Sequence, residues 1–480
     1  MESSRLSDTA APAPAPPAAL GPRRPPLRFG LRALGIEQGL RLLGCLAALL
    51  AARVADALVD LVSGPERRAE RRARRQTRGA RRVAQTLGAL KGPFAKAGQF
   101  GALRYDVLPE AARAPLASLR DRVPPLPLRA VRALVEAELG APLERLFAHF
   151  EAEPLGAASI AQVHRATLHS GEAVAVKVQY PWLRHSLRAD LFLLRAVLAL
   201  ALRRRAGTAL DRDRLFREFA DGVREELDFR REAQVADSIG RNLAADPQIV
   251  VPRVVAQRST GRVLTMTYHA AVSIRDRDGL RRLGVAASDV LAVIARAYAK
   301  QVFVDGLFHA DPHPGNLFVL DEPGAARRPR VLFVDFGLAR RLDPGLRREI
   351  RRGIYALLQR DLEAFVGGMQ RLEMIAPGAE PSVRASVSTL FEGLGGGEAL
   401  SLADAEVVSL KDRAKALLQE IEGVRLPNDL LLYAKTLSYL FGLGAELAPD
   451  VDLMRLCTPY LVQFLAERSG EPPPEASVDR

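Results

Sequence analysis

The 480-residue chain is short of cysteine, tryptophan and unbroken apolar stretches. Cys45 and Cys457 are its only cysteines, and neither belongs to a Cys-x-x-Cys or Cys/His ligand pattern. That leaves no zinc site and no disulfide framework, and it fits a reducing, cytoplasmic setting. The most apolar stretch, Leu42 to Ala52, is interrupted at Arg53, Asp56 and Asp60. It falls well short of the ~20 residues that span a bilayer, so no transmembrane helix is expected. Residues 1–27 lack the compact apolar core of a signal peptide. No base-reading or RNA-stacking motif is present, so no nucleic-acid partner is expected. Acidic charge is in deficit. Lys and Arg total 69 against 56 Asp and Glu, a net charge of +13. The excess favours anionic partners such as nucleotide phosphates or acidic lipid headgroups.

What is present is a globular composition, 48% hydrophobic, enough for a sizeable core. Residues 1–27, rich in Ala, Pro and Arg, read as disordered. From Leu31 to Val62 the pattern is helical until Gly64-Pro65. An Arg-dense run from Arg67 to Arg82 then leads into Val83–Leu90 as a charged helix. Leu42, Leu46, Leu50 and Leu58 are expected to pack against the main body. The competing reading lays this helix and the Arg run on an anionic membrane. Residues 91–150 read as further helices punctuated by prolines. Ile160–Leu168 and Ala173–Val178 alternate around a His169-Ser170-Gly171 turn, which predicts a β-hairpin. Helices are predicted at Leu183–Arg205 and Asp211–Gly240, and strands at Ile249–Ala256 and Arg262–Tyr268. Beyond Ala286 the chain reads as helical except for strands Leu317–Leu320 and Val331–Asp335.

Those last two strands flank the chemistry. His309-Ala310-Asp311-Pro312-His313-Pro314-Gly315-Asn316 places an Asp and an Asn in a Pro/Gly-rich loop, which presents them from a fixed turn. A second Asp, in Val334-Asp335-Phe336-Gly337, ends the following apolar run. Phosphoryl transfer from a nucleotide needs this set. Asp311 orients or deprotonates the acceptor, and Asn316 and Asp335 hold magnesium on the phosphates. Val174-Ala175-Val176-Lys177 matches the strand lysine that clamps the α- and β-phosphates. Its carboxylate partner is to be sought among Glu218, Glu225, Glu226, Asp228 and Glu232, read as one helix over Arg217–Ala233. The phosphate-covering G-x-G-x-x-G loop is missing. Pro154-Leu155-Gly156-Ala157-Ala158-Ser159-Ile160 stands in its place and still offers backbone N–H groups. Asp343 and Pro344 form an N-cap and first turn so soon after Gly337 that no long activation segment fits.

Taken together, the chain resembles the UbiB/AarF (ADCK-like) family of atypical kinases. The likeness is carried by Lys96-Ala97-Gly98-Gln99, Ala157 to His164, Val176 to Pro181, Glu226-Leu227-Asp228, Arg231-Glu232-Ala233, His309 to Asn316 and Asp335-Phe336-Gly337. These occur in the family's order over roughly residues 85–345. The resemblance implies an α+β, two-lobed, protein-kinase-like fold. A tail at 1–30 would precede a helical extension at 31–150, which folds over the nucleotide cleft. An N-lobe at 151–270, a helical C-lobe at 271–468 and a loose tail at 469–480 would follow. It implies ATP and magnesium as ligands, Asp311, Lys177 and Glu232 as the catalytic set, and Lys177 paired with Glu232. Nucleotide contacts would come from Ala157, Ala158, Ser159 and Met266, with Lys96 and Gln99 meeting Glu226 and Asp228. The metal would sit on Asn316 and Asp335. It further implies ATPase or restricted kinase activity linked to isoprenoid-quinone biosynthesis or lipid handling, with a lipid or quinone precursor as acceptor. Placement would be cytoplasmic, or peripheral at the inner membrane face. A nucleotide-responsive scaffold or a lipid-binding module with negligible turnover is the alternative.

Overall fold

The computed structural model describes residues 36–60, 64–104, 110–117, 125–201, 212–322, 328–392 and 424–467. The segments expected as tails, 1–30 and 469–480, lie outside them. Two long helices open the chain, α1 (Ile36–Asp60) and α2 (Pro65–Leu90), followed by α3 (Gly92–Leu103) and α4 (Glu110–Ala117). Pro65 sits in the first turn of α2, where its missing N–H costs nothing. Between α2 and α3 the backbone turns at Lys91 and Gly92, both with positive φ. A Cβ on Gly92 would come within 2.7 Å of Leu183 Cδ2, so only glycine fits this corner.

Helices α5 (Leu128–Leu139) and α6 (Leu143–Leu146) precede the strands β1 (His149–Ala157), β2 (Ala161–Thr167) and β3 (Ala173–Gln179). With β5 (Val263–Thr267) these form an antiparallel sheet in the order β1-β2-β3-β5. The expected hairpin is β2–β3. β1 was read as a loop from Pro154 onward. It is an edge strand with register shifts on either side of Pro154, a position where a bulged proline is readily accommodated. The sheet works by alternation. Val174, Val176 and Val178 are buried on one face with Val131, Val135 and Phe147 of the α5–α6 region. Burying each such valine is worth ~1.5–3 kcal/mol. Lys177 therefore emerges on the opposite face. Helices α5 and α6, assigned by the sequence to the N-terminal extension, pack directly on this sheet.

After α7 (Leu183–Ala201) the single helix expected over Arg217–Ala233 is two, α8 (Arg212–Glu226) and α9 (Phe229–Leu243). Asp228 breaks it: its carboxylate accepts from the Arg230 N–H as the N-cap of α9. Periodicity continues across the break, which is why the sequence hid it. The strand expected at Ile249–Ala256 contracts to β4 (Ile249–Val250), since Pro252 cannot donate to a ladder.

The larger half contains β6 (Ala271–Ser273), α10 (Arg277–Arg282), α11 (Ala287–Ala299), β7 (Leu307–Phe308), β8 (Leu317–Leu320), β9 (Val331–Phe333) and β10 (Arg340–Arg341). Then follow α12 (Pro344–Leu358), α13 (Leu362–Arg371), α14 (Glu380–Glu392), α15 (Asn428–Leu447) and α16 (Leu453–Ala466). β4, β9, β8 and β6 form a mixed sheet, and β7 pairs with β10. β6, β7 and β10 were not expected; two or three residues carry no readable alternation. Helix α11 is buried from Val290 to Ala299 on nearly every side, the behaviour of a helix at the centre of a core. Asp343 caps α12, accepting from Gly345 and Leu346, as the sequence predicts.

Helix α1 departs from expectation. Leu42 packs beside Leu90, Phe94 and Phe219, and Leu46 is half-buried. Leu50, expected to pack, is 51% exposed, and Leu40, Leu43 and Val54 are more exposed still. α1 lies on α2 through Asp56–Arg75 and the Leu49–Gly79 approach, so one narrow face suffices for that contact. The side chain of Leu58 lies outside the described residues.

Candidate active site

One cavity of about 570 Å³ opens between the sheet and the larger half. Its wall includes Lys96, Gln99, Ala158, Ser159, Lys177, Glu226, Glu232, Asp311, Asn316 and Asp335. Ten residues singled out by sequence, from segments more than 200 positions apart, thus share one space. Ala157, Met266 and Asp228 do not line it. Ala157 is the last residue of β1, Met266 is held in the β3–β5 ladder opposite Ala175, and Asp228 is the α9 cap.

The turn after β1 is fixed on both sides. Ala158 N donates to Ala161 O at 2.8 Å, and the Tyr180 hydroxyl donates to Ala158 O at 2.8 Å. Gly92 N, at the start of α3, donates to Ser159 O at 3.1 Å. The Ala-rich turn and the helix carrying Lys96 and Gln99 are therefore bonded together. Lys96 Nζ lies 2.5 Å from Glu226 Oε2 at the end of α8.

Lys177 Nζ donates to both oxygens of Glu232, at 2.7 and 2.9 Å, and to Asp335 Oδ1 at 2.8 Å. Glu232 lies on the stripe of α9 that includes Phe229, Ala236, Ile239 and Leu243, a carboxylate on an apolar face. Burial raises its pKa, and Lys177 is what opposes that. Burial also disfavours the Lys177 ammonium, yet Asp335 and Glu232 outweigh it and hold the pKa above its ordinary value. For Asp335, burial is likewise overcome by Lys177, and the carboxyl is held well below the usual range. Asp335 sits deep between the two halves but presents half its side chain to the cavity, 48% exposed. Glu225, expected on one helical face with Glu232, is separated from it by the α8–α9 break and pairs with Arg340 at 2.5 Å.

The loop carrying Asp311 hangs from the buried His309. Its Nε2 meets Val334 O at 2.9 Å, its Nδ1 lies 3.2 Å from the Tyr298 hydroxyl, and its backbone N–H donates to Gln301 Oε1. Burial lowers its pKa, so the ring is neutral. With Nε2–H donating to Val334, Nδ1 accepts from Tyr298. Gln301 belongs to a π-helical turn, Lys300–Asp305, the kind of local irregularity that recurs beside functional loops. Ala310 and Asp335 both take positive φ, 58° and 63°. A non-glycine residue in that region stores ~1–3 kcal/mol, which the surrounding bonds must hold. The strain aims Asp311 and Asp335 into one space.

Asp311 is fixed at both oxygens. Asn316 Nδ2 donates to Oδ2 at 2.9 Å, and Lys435 Nζ donates to Oδ1 at 3.2 Å. Burial opposes ionisation of Asp311, but Lys435 prevails and lowers its pKa. Sequence reasoning missed Lys435, Tyr439 and the rest of the α15 wall. The only signal was a lone lysine in the apolar stretch Leu430 to Leu440. After Gly337 the chain is pinned: Arg340 and Arg341 pair with Phe308 and Leu307, and Leu342 N donates to Gly306 O at 2.8 Å.

Residues 118–367 match the model of the ABC1 atypical kinase-like domain. The chain is 31% identical over 399 residues to the probable protein kinase UbiB of Marinobacter nauticus, covering 81% of this chain and 70% of that protein. It is 31% identical to the chloroplastic protein ACTIVITY OF BC1 COMPLEX KINASE 7 of Arabidopsis thaliana, covering 79% of this chain but only 54% of that one. Among solved structures it is similar to the Rv3197–erythromycin complex of Mycobacterium tuberculosis at 24% identity and a TM-score of 0.42, covering 75% and 93% of the two chains. With more than half its length matched by the family model, and a bacterial relative aligned across most of both chains, this α+β chain belongs to the ABC1 atypical kinase-like family.

Proposed function

We propose that the cavity binds magnesium-ATP and passes its terminal phosphoryl group to a small hydroxyl-bearing acceptor, or to water. The observation that carries this reading is the meeting of Lys177, Asp311, Asn316 and Asp335 in one cavity, with none of the four replaced. Lys177 holds the α- and β-phosphates and is itself held by Glu232. Ser159 offers its backbone N–H to the phosphates, since the Ala158 N–H is already bonded to Ala161 O. Lys96, Gln99 and Glu226 cover the cleft from α3 and α8. Asp311 accepts or orients the acceptor proton. The donor set suits magnesium: a carboxylate on Asp335 and an amide oxygen on Asn316, both hard oxygens. Among the described residues no group of three His, Cys, Asp or Glu would hold a metal alone. Magnesium characteristically shares its coordination between one or two protein oxygens and phosphates. When bound, it supplies positive charge against the phosphates.

Phe100, Phe219, Val223, Leu432 and Tyr439 give the far wall an apolar character. This favours a lipidic or phenolic acceptor, such as a quinone precursor, over a polypeptide docked on 338–343. Asp335→Asn should abolish the magnesium-dependent thermal stabilisation by ATP, which is worth about 3 kcal/mol at a hundredfold excess over Kd. A variant with an unchanged shift would remove Asp335 from the site.

A membrane role is favoured by α1. Leu40, Leu43, Leu50 and Val54 recur at helical spacing and are 51–65% exposed, beside exposed Arg74, Arg78, Arg81 and Arg82 on α2. An apolar stripe next to cations fits the surface of an anionic bilayer, each nearby basic residue adding ~1 kcal/mol. Full-length protein should float with anionic liposomes, and a chain starting at Val83 should not. Equal recovery of both would eliminate this segment as an anchor.

A further inference from the structure

The loop between Asp311 and Asn316 contains Pro312, His313, Pro314 and Gly315, and so no lysine or arginine. Phosphoryl transfer gathers negative charge on the oxygens of the moving group, and a fixed cation there lowers the barrier. Three of the other cations that line the cavity, which also include Arg113, are engaged by acids. Lys177 bonds Glu232 and Asp335, Lys96 bonds Glu226, and Arg340 bonds Glu225. On the opposite wall α15 presents Lys435. Its ammonium is 3.2 Å from Asp311 Oδ1 and 5.3 Å from the centroid of the Tyr439 ring.

Helix α15 is well placed to hold it. Tyr433 packs edge-on against Phe308 with centroids 6.0 Å apart, directly under the loop that carries Asp311. Leu432, Thr436 and Leu440 are buried on α15, so the helix cannot roll without opening the core. Lys435 is 15% exposed, facing the cavity between this helix and the loop.

We propose that Lys435 is a further catalytic residue: it contacts the transferring phosphoryl group from the acceptor side while orienting the Asp311 carboxylate. This rests on the reading of the cavity as a phosphoryl-transfer site. A base bonds its acceptor hydroxyl over about 2.6–3.2 Å, and that oxygen approaches phosphorus from about 3–3.5 Å. A cation bonded to Asp311 is therefore within one side chain's swing of the phosphoryl oxygens. In the step, the acceptor oxygen forms a bond to the γ-phosphorus as the bond from that phosphorus to the β,γ-bridging oxygen breaks. The bridging oxygen leaves with the electron pair on ADP, and the acceptor proton passes to Asp311. Lys435 balances charge on the moving group and keeps one carboxylate oxygen turned to the acceptor. It acts on the terminal phosphate and on nothing in ADP.

That asymmetry supplies the test. Wild type, Lys435→Ala and Lys435→Arg are compared for magnesium-ADP affinity, magnesium-ATP affinity and ATP turnover. The alanine variant should bind ADP like wild type and bind ATP about tenfold or more weakly, the scale of one hydrogen bond to a charged group. Its kcat should fall by roughly 10²–10³-fold. Arginine, which keeps the charge, should restore part of the kcat. Wild-type turnover in the alanine variant, or equal loss of ADP and ATP binding, overturns the role of Lys435 while leaving the site intact. A wild type that binds neither nucleotide overturns the reading of the cavity, and this inference with it.

Discussion

The two lysines that meet carboxylates in the cavity are built in opposite ways. Lys177 stands on a central strand whose other face is buried valine, and it neutralises a carboxylate on the apolar stripe of α9. Lys435 stands on a helix that forms one wall of the cavity and touches an aspartate that also holds an asparagine. Their exposures are equal, at 15%, but their partners differ: Glu232 is 4% exposed and Asp311 23%. Removing one partner of a buried pair strands the other's charge, and the cost rises with how deeply that partner is buried. Loss of Lys177 should therefore cost the fold more than loss of Lys435.

The largest effect that sharpens this contrast is on stability. Lys177→Ala should cost about 3–5 kcal/mol, because Glu232 is left without its cation among Phe229, Ala236 and Ile239. Lys435→Ala should cost less, about 1–3 kcal/mol, since Asn316 Nδ2 still bonds Asp311. Denaturant melts of both variants measure this, and equal losses would break the comparison. pH gives a signature of the same difference. Burial raises the Glu232 pKa, and without Lys177 nothing on β3 opposes the rise. A carboxyl with a raised folded-state pKa binds more protons folded than unfolded, so it stabilises at low pH and loses that as pH climbs. Lys177→Ala should therefore lose stability steadily above pH 4.5, the ordinary value for glutamate. Wild type carries a weaker form of this trend from Glu232, which Lys177 opposes, and Asp335 and Asp311, whose lowered pKa values withdraw stability only as pH falls below 3.8, add the opposite one.

The same contrast explains what the sequence made legible. Lys177, Asp311, Asn316 and Asp335 lie in short motifs whose local geometry is set by a strand or a proline-rich turn, so spacing alone identifies them. The β2–β3 hairpin, the Asp343 cap and the short segment after Gly337 are local for the same reason. Lys435 reaches Asp311 through tertiary packing of α15, 124 residues away. No period or spacing encodes that distance. The α8–α9 break escaped notice because the amphipathic pattern runs through Asp228, while the cap itself is a single side-chain bond. The exposed stripe on α1 was misjudged because apolarity predicts burial without saying what buries it.

All of this rests on the cavity moving a phosphoryl group. The most direct measurement follows magnesium-ATP by phosphorus NMR with wild type and with Asp311→Asn, each with and without a lipid-like phenol. Wild type should deplete the γ-phosphate signal and build ADP with inorganic phosphate or a phosphorylated phenol. The Asp311→Asn variant should be slower by roughly 10²–10⁴-fold, the usual worth of a positioned base. ATP left intact by wild type, or turned over equally by both proteins, would contradict the account.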